Sequence, residues 1–243
     1  MSDCIYITSS RGGEGATTVS LYLGLALAES GERTLVLDGD CDCASAMQVS
    51  GLNGLSVYTL ADAQKGACRV KQAMIRHPLS PNLYLLPTLG CNDGIFVENA
   101  VNECCGQFDR VLCDGAAAGA CNRAVLVTGP YPSSLASAKK RAASLSDGGF
   151  KEVALIVNKV NGGLVFDGAV LTPQETATII RLPLLGVIPE DLSMPLGKIK
   201  PSSRRAFEMT CKRLLGREEK VYGVIKPYTG VTGMIKRKLR SRI

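Results

Sequence analysis

The sequence has no tryptophan, a single histidine, His77, and only 5% aromatic residues. One imidazole cannot build a histidine metal cluster. With no nucleophile paired to it, His77, just before Pro78, reads as a surface or loop residue rather than as part of a triad. No apolar run approaches the roughly 18 to 20 residues of a membrane-spanning helix, so nothing is expected to cross a bilayer. The amino terminus lacks the basic stretch before an apolar segment that marks a secretory signal. Ten cysteines in such a chain are expected to be reduced thiols, and the expected location is the cytoplasm.

Acidic residues are missing from one place in particular. From Val231 to Ile243 the chain carries Lys236, Arg237, Lys238, Arg240 and Arg242 and no Asp or Glu, which is five of the six net positive charges. The first 230 residues are therefore nearly neutral, with 23 basic against 22 acidic side chains. A neutral body with a basic end implies a local anchor rather than a nucleic-acid surface.

What is present describes one folded unit of 243 residues, 46% apolar and 21% charged. Continuous apolar runs at Cys4–Thr8, Thr34–Asp38, Leu83–Pro87, Arg110–Asp114, Ala124–Thr128, Val153–Asn158 and Leu184–Ile188 predict strands covered on both faces. Helical patterns at Thr17–Glu29, Val97–Cys105, Ser133–Ser146 and Ser202–Leu215 lie between or after them. Strands alternating with helices predict a doubly wound α/β domain with a mostly parallel sheet over residues 1–216. A turn-rich linker at 217–230, with Gly223, Pro227 and Gly230, precedes the tail at 231–243.

The first strand runs into SRGGEGATT, Ser10 to Thr18, and then a helix. Glycines at 12, 13 and 15 let the backbone form a nest of N–H groups at a helix amino terminus, which is a phosphate site by geometry and dipole. The plainer reading of such a segment is a strand-to-helix turn that binds nothing.

The loop resembles that of the MinD/ParA family of deviant Walker A ATPases, Lys-Gly-Gly-x-Gly-Lys-Thr-Thr. The similarity continues through LDGD at Leu37–Asp40, CDGAAAG at Cys113–Gly119, Asn158 in LIVNK, and GVIPED at Gly186–Asp191. These motifs fall in the family order, each at the carboxyl end of an expected strand, where open α/β sheets bind ligands. The resemblance implies a P-loop NTPase fold of the SIMIBI/MinD-like type with ATP and Mg²⁺ as cofactors. It places Gly12, Gly13, Gly15, Ala16, Thr17 and Thr18 around the phosphates and Asn158 at the adenine. Thr17, Asp38 and Asp114 would serve the metal, and Asp40 the attacking water. The other reading of Asp38 and Asp114 is of strand-end carboxylates satisfied by helix amino termini.

Both signature lysines of the family are replaced, by Arg11 and Ala16. Arg11 keeps a charge that forks onto phosphate and suits the cross-dimer role that the resemblance implies, giving a nucleotide-dependent homodimer. Ala16 keeps none, so hydrolysis is expected to be weak or lost. Glu14 adds a negative charge to the loop.

In the tail, Val231, Met234 or Ile235, Leu239 and Ile243 recur at helical spacing with Lys236, Arg237 and Lys238 between them. A narrow apolar stripe in a cationic helix is the pattern of an interfacial anchor on an anionic membrane. MinD-type proteins resemble this arrangement, which implies peripheral attachment at the inner face of the cell membrane and a cell-division or positioning partner. Nucleic acid is not the expected ligand. The alternatives are an active ParA-like ATPase for DNA or organelle partitioning, with Lys139, Lys140 and Arg141 as a weak basic run otherwise read as a solvated helix face, and an iron–sulfur relative. Cys91 and Cys121 resemble the cluster cysteines of the nitrogenase iron protein, although the surroundings of Cys91 differ. Cys41-x-Cys43 and the Cys104–Cys105 pair lack common zinc spacings, and no metal is assigned to them.

Overall fold

The computed structural model describes residues 3–40, 42, 45–52, 57–78 and 80–229. In chain order the elements are β1 (Asp3–Ser9), α1 (Ala16–Glu29), β2 (Thr34–Asp38), α2 (Ser45–Ser50), α3 (Leu60–Gln64), β3 (Ile75–Arg76) and β4 (Leu83–Pro87). They continue with α4 (Gly94–Cys105), β5 (Arg110–Asp114), β6 (Arg123–Thr128), α5 (Pro132–Asp147), β7 (Glu152–Val160), α6 (Gly162–Phe166), α7 (Pro173–Ile180), β8 (Leu184–Pro189) and α8 (Pro201–Leu214). All seven expected strands are present. The added one, β3, is two residues long and antiparallel to β4 at the sheet edge, too short to leave a pattern in the sequence.

The eight strands lie in the order β3-β4-β2-β5-β1-β6-β7-β8, parallel except for β3. This is the doubly wound α/β sheet that the alternation of strands and helices predicts. Successive side chains of a strand point to opposite faces, so β1 sends Cys4 and Tyr6 to one side and Ile5 and Ile7 to the other. The first side is covered by residues of α4, α5 and α7, such as Val101, Ala138 and Ala177. The second is covered by those of α1 and α8, such as Leu23 and Phe207.

Helix starts are fixed locally. Asp93 accepts the Phe96 amide at 3.0 Å ahead of α4, Thr172 and Glu175 form a capping box at α7, and Pro opens α5, α7 and α8. Asp191, in the GVIPED segment, accepts from the Ser193 and Ser203 hydroxyls and the Lys200 amide, joining β8 to the start of α8. Although burial pushes its carboxyl up, these hydrogen bonds prevail and hold it at about 2.

Beyond α8 the chain returns to the body. Val224 is buried, Val221, Tyr222 and Ile225 pack on the core, and Gly162 has no side chain where the Val224 carbonyl approaches. Met234, Ile235, Lys236, Arg237, Lys238, Leu239 and Ile243 of the expected anchor lie outside the described residues, as do Cys41 and Cys43. Among the described residues no helix is long and apolar enough to cross a membrane.

One expectation is refined and one corrected. His77 follows β3 in a loop but is buried rather than at the surface, and burial holds its imidazole below the ordinary value. Arg141 is not part of a solvated face. Lys139 and Lys140 are exposed, but Arg141 turns under the sheet to donate to the Tyr6 hydroxyl at 3.1 Å and to Thr8 Oγ1 at 2.9 Å. The helical period carries the third position of the run onto the packed face.

Candidate nucleotide site

The carboxyl ends of β1, β2, β5, β6 and β7 lie along one edge of the sheet, and the Gly-rich loop leaves from the central strand of that edge. Gly13 at φ +83° and Gly15 at φ +89° occupy the left-handed region, which a side chain resists. A Cβ at Gly15 would also lie 2.6 Å from Asn158 Nδ2.

The loop is held from behind. Asn158, 1% exposed, donates through Nδ2 to the Glu14 carbonyl at 2.8 Å, and Lys159 Nζ donates to the Gly13 carbonyl. At the other flank the Ser10 amide donates to the Val127 carbonyl, and Ser10 Oγ and Thr128 Oγ1 are 3.0 Å apart. No side chain caps the start of α1, and Gly15 stands at that cap. The amides of the first turn, at the positive end of the helix dipole, are thus left for an anion.

The charges of the loop close on one another. Glu14 is buried, 5% exposed, and its Oε1 accepts from Arg11 Nε at 2.9 Å and from Ser134 Oγ at 2.7 Å. The rest of the Arg11 guanidinium reaches Ser133, donating to its carbonyl at 3.4 Å and its hydroxyl at 3.3 Å. The side chain added within the loop therefore carries its own counterion, and Arg11 is held on its own chain. Ala16 offers no charge to the cleft.

Opposite the loop lie the acids. A cleft of 240 Å³ is lined by Ala16, Thr17, Asp40 and Asp114, with Thr8 and Ser9 from the end of β1. Asp38, fully buried, accepts from the backbone amides of Ala46 at 2.7 Å, Met47 at 3.4 Å and Asp40 at 3.3 Å. Burial pushes its carboxyl up, against those hydrogen bonds. Its geometry is that of a strand-end carboxylate at a helix amino terminus. Asp114 meets hydroxyls instead. Burial raises it to about 6, opposed by hydrogen bonds from Thr17 and Ser20 and reinforced by the charges of Asp38 and Asp40. An acid held so far above its ordinary range among other acids gains from a cation beside it.

Residues 5–197 match the CobQ/CobB/MinD/ParA nucleotide binding domain. The chain belongs to the MinD/ParA family. A putative septum site-determining protein MinD of Guillardia theta is 32% identical over 242 residues, covering 90% of each chain. Septum site-determining protein MinD of Thermotoga maritima is 29% identical, over 78% of this chain and 76% of its own. Among solved structures, the fold is similar to MinD in the MinC:MinD cell division protein complex of Aquifex aeolicus, with a TM-score of 0.83 and 26% identity over 90% of this chain and 98% of that one. It is also similar to MinD of Pyrococcus horikoshii complexed with Mg-ADP, with a TM-score of 0.76 and 26% identity over 88% of this chain and 96% of that one.

Set on this MinD/ParA framework, Gly12, Gly13, Gly15, Ala16, Thr17 and Thr18 form one loop and helix start, and Thr17, Asp40 and Asp114 share its cleft. Asn158 sits beneath the loop, with its amide nitrogen on the loop backbone. The sequence reading missed Lys159, although it stands beside Asn158 in LIVNK. Its φ of +55° at an irregularity of β7 sends the ammonium to the loop, and a bulge leaves no periodic signal. It also missed Ser134, whose role depends on where α5 is packed. Cys91 and Cys121 are not brought together within the chain. The Cys91 thiol is 3.5 Å from Gln64 Oε1, whereas Cys121 lies beside Cys4.

Proposed function

We propose that this chain is a MinD-like protein of division-site placement or spatial positioning that binds ATP with Mg²⁺ and hydrolyses it slowly or not at all. One observation carries the reading. The loop keeps its left-handed glycines and open helix start, while its only cationic side chain, Arg11, is committed to Glu14 and Ala16 stands where the family has lysine.

The residues fit such a ligand. Backbone amides of Gly13 to Thr18 bind phosphate oxygens without needing a side-chain charge. Thr17 and Asp114 supply a hydroxyl and a carboxylate of the kind Mg²⁺ prefers, and Asp40, in the same cleft, is the acid to orient water. When bound, Mg²⁺ would supply positive charge beside the phosphates. Asp38 acts from behind, accepting the backbone amides of Asp40, Ala46 and Met47. Lys159 and Asn158 hold the loop in shape through its carbonyls. Phosphoryl transfer is catalysed mainly by positioning and charge. A loop without the lysine keeps the first and loses much of the second.

Without nucleotide Arg11 stays on Glu14, and in a nucleotide-bound homodimer the phosphates of the partner's nucleotide compete with that carboxylate for its guanidinium. The basic stripe at 231–243 attaches each subunit to an anionic membrane at the inner face of the cell membrane, and two tails in a dimer bind much more tightly than one. The Aquifex relative is solved with MinC, which supports a cell-division protein as partner. Calorimetric titration of Mg-ATP, read beside mass in solution, tests the proposal. Binding with a doubled mass supports it, and no binding overturns the nucleotide part.

A further inference from the structure

Three thiols from distant parts of the sequence meet on the face of the sheet opposite α1. Cys4 of β1 pairs in register with Val111, so Cys113, two residues farther along β5, is its diagonal neighbour on the same face. After the turn that follows β5, the Asn122 amide donates to the Cys4 carbonyl, which brings Cys121 beside Cys4. The Sγ atoms of Cys4 and Cys113 are 3.8 Å apart, those of Cys4 and Cys121 3.0 Å, and all three lie within 4.8 Å of one another. Cys105, at the end of α4, packs on the same core just outside this trio, and its neighbour Cys4 and its burial push its thiol up.

Solitary core cysteines in this protein pack differently. The Cys91 thiol faces Gln64 and that of Cys211 faces Ser30. A tetrahedral zinc–thiolate centre with bonds of about 2.3 Å has sulfurs about 3.8 Å apart. The Cys4–Cys113 edge already has that length, and the Cys4–Cys121 edge needs to open by about 0.8 Å. Cys4 and Cys113 are buried while Cys105 and Cys121 are half-buried, which gives a dry floor with a way in.

We propose that Cys4, Cys113 and Cys121 form a thiolate site for one thiophilic ion, Zn²⁺ by its geometry, with Cys105, which stands just outside the trio, moving in as the fourth ligand. Each thiol loses its proton to solvent as its sulfur joins the metal, and no oxidant is involved. Cys113 directly precedes Asp114 and Cys121 follows it by seven residues. The ion ties both ends of the segment 114–120 to β1, fixing a turn that includes Gly115 at φ +69° and Ala117 at φ +55°.

The test uses the full chain, purified without a histidine tag under reducing conditions and titrated with Zn²⁺ or Co²⁺ alone. About one equivalent of zinc per chain by elemental analysis and a thiolate-to-cobalt charge-transfer band are expected. Both should be lost in Cys121→Ser and kept in Cys91→Ser and Cys211→Ser. Cys105→Ser should weaken binding by tenfold or more against a chromogenic chelator. If Cys4→Ser or Cys113→Ser fails to fold, the half-buried Cys121 and Cys105 variants decide. Less than about a tenth of an equivalent in the folded wild type, with no cobalt band, overturns the site. So do a Cys4–Cys121 disulfide in place of metal under these conditions, and iron with labile sulfide.

Discussion

Arg11 and Glu14 form an ion pair within the phosphate loop, Nε to Oε1 at 2.9 Å, with the carboxylate buried and its Oε1 also accepting from Ser134. Two charges that would act on a triphosphate, one favourably and one not, cancel each other before it arrives. Glu14→Gln should release the guanidinium, keep the Ser134 contact, and tighten ATP binding about five- to tenfold, or about 1 to 1.4 kcal/mol. Calorimetry on both proteins checks this, and unchanged affinity would mean that Arg11 stays on Ser133.

Asp114 should make stability depend on pH in an unusual direction. Its carboxyl is raised to about 6 in the folded chain, chiefly by burial, against an ordinary value of 3.8. Below about 4 the acid is protonated in both states and destabilises nothing. As pH rises through about 6 the unfolded chain ionises it more readily, and the fold loses on the order of 2 to 3 kcal/mol. Asp114→Asn should therefore be more stable than the wild type at neutral pH, with the difference vanishing near pH 4. Denaturant unfolding of both proteins across that range reads it, and saturating Mg²⁺ with nucleotide should narrow the gap at neutral pH.

Asn158 is a support of the loop before it is anything else. Its Nδ2 bond to the Glu14 carbonyl is buried, and its Oδ1 has no protein partner among the described residues. Asn158→Ala should cost about 1 to 2 kcal/mol of stability and weaken ATP and ADP by similar factors, because the cradle loosens as a whole. An effect confined to one nucleotide, with stability unchanged, would count against that role.

The amphipathic reading of the tail predicts binding to vesicles containing anionic lipid that falls with salt and fails on neutral lipid. Ile235→Glu with Leu239→Glu should abolish it, at about 1.5 to 3 kcal/mol for each apolar side chain withdrawn. Co-sedimentation reads this directly. Retention equal to wild type would reject the stripe as anchor.

Much of this was legible in the residues themselves. Strands buried on both faces are continuous apolar runs, so Thr34–Asp38 and Arg110–Asp114 have in the fold the bounds the sequence predicts. The loop is visible because left-handed backbone requires glycine at 13 and 15. What was hidden depends on packing across distance. Arg141 sits in a run of three basic residues, yet only the register of α5 on the sheet shows that it reaches Tyr6 and Thr8. Lys159 required a bulge that no period encodes. The thiols of Cys4, Cys113 and Cys121 have no motif spacing, since sheet register brings together residues 109 and 117 positions apart.

Backbone positioning survives in this loop while the charge for phosphoryl transfer does not. Steady-state ATP hydrolysis at saturating Mg-ATP, measured on the wild type, Asp40→Ala and Ala16→Lys with Glu14→Gln, tests it most directly. Wild-type turnover should be close to that of Asp40→Ala, with a gain of about 10² or more when the lysine is restored and the carboxylate removed. Robust Mg²⁺-dependent turnover by the wild type that disappears in Asp40→Ala would contradict it.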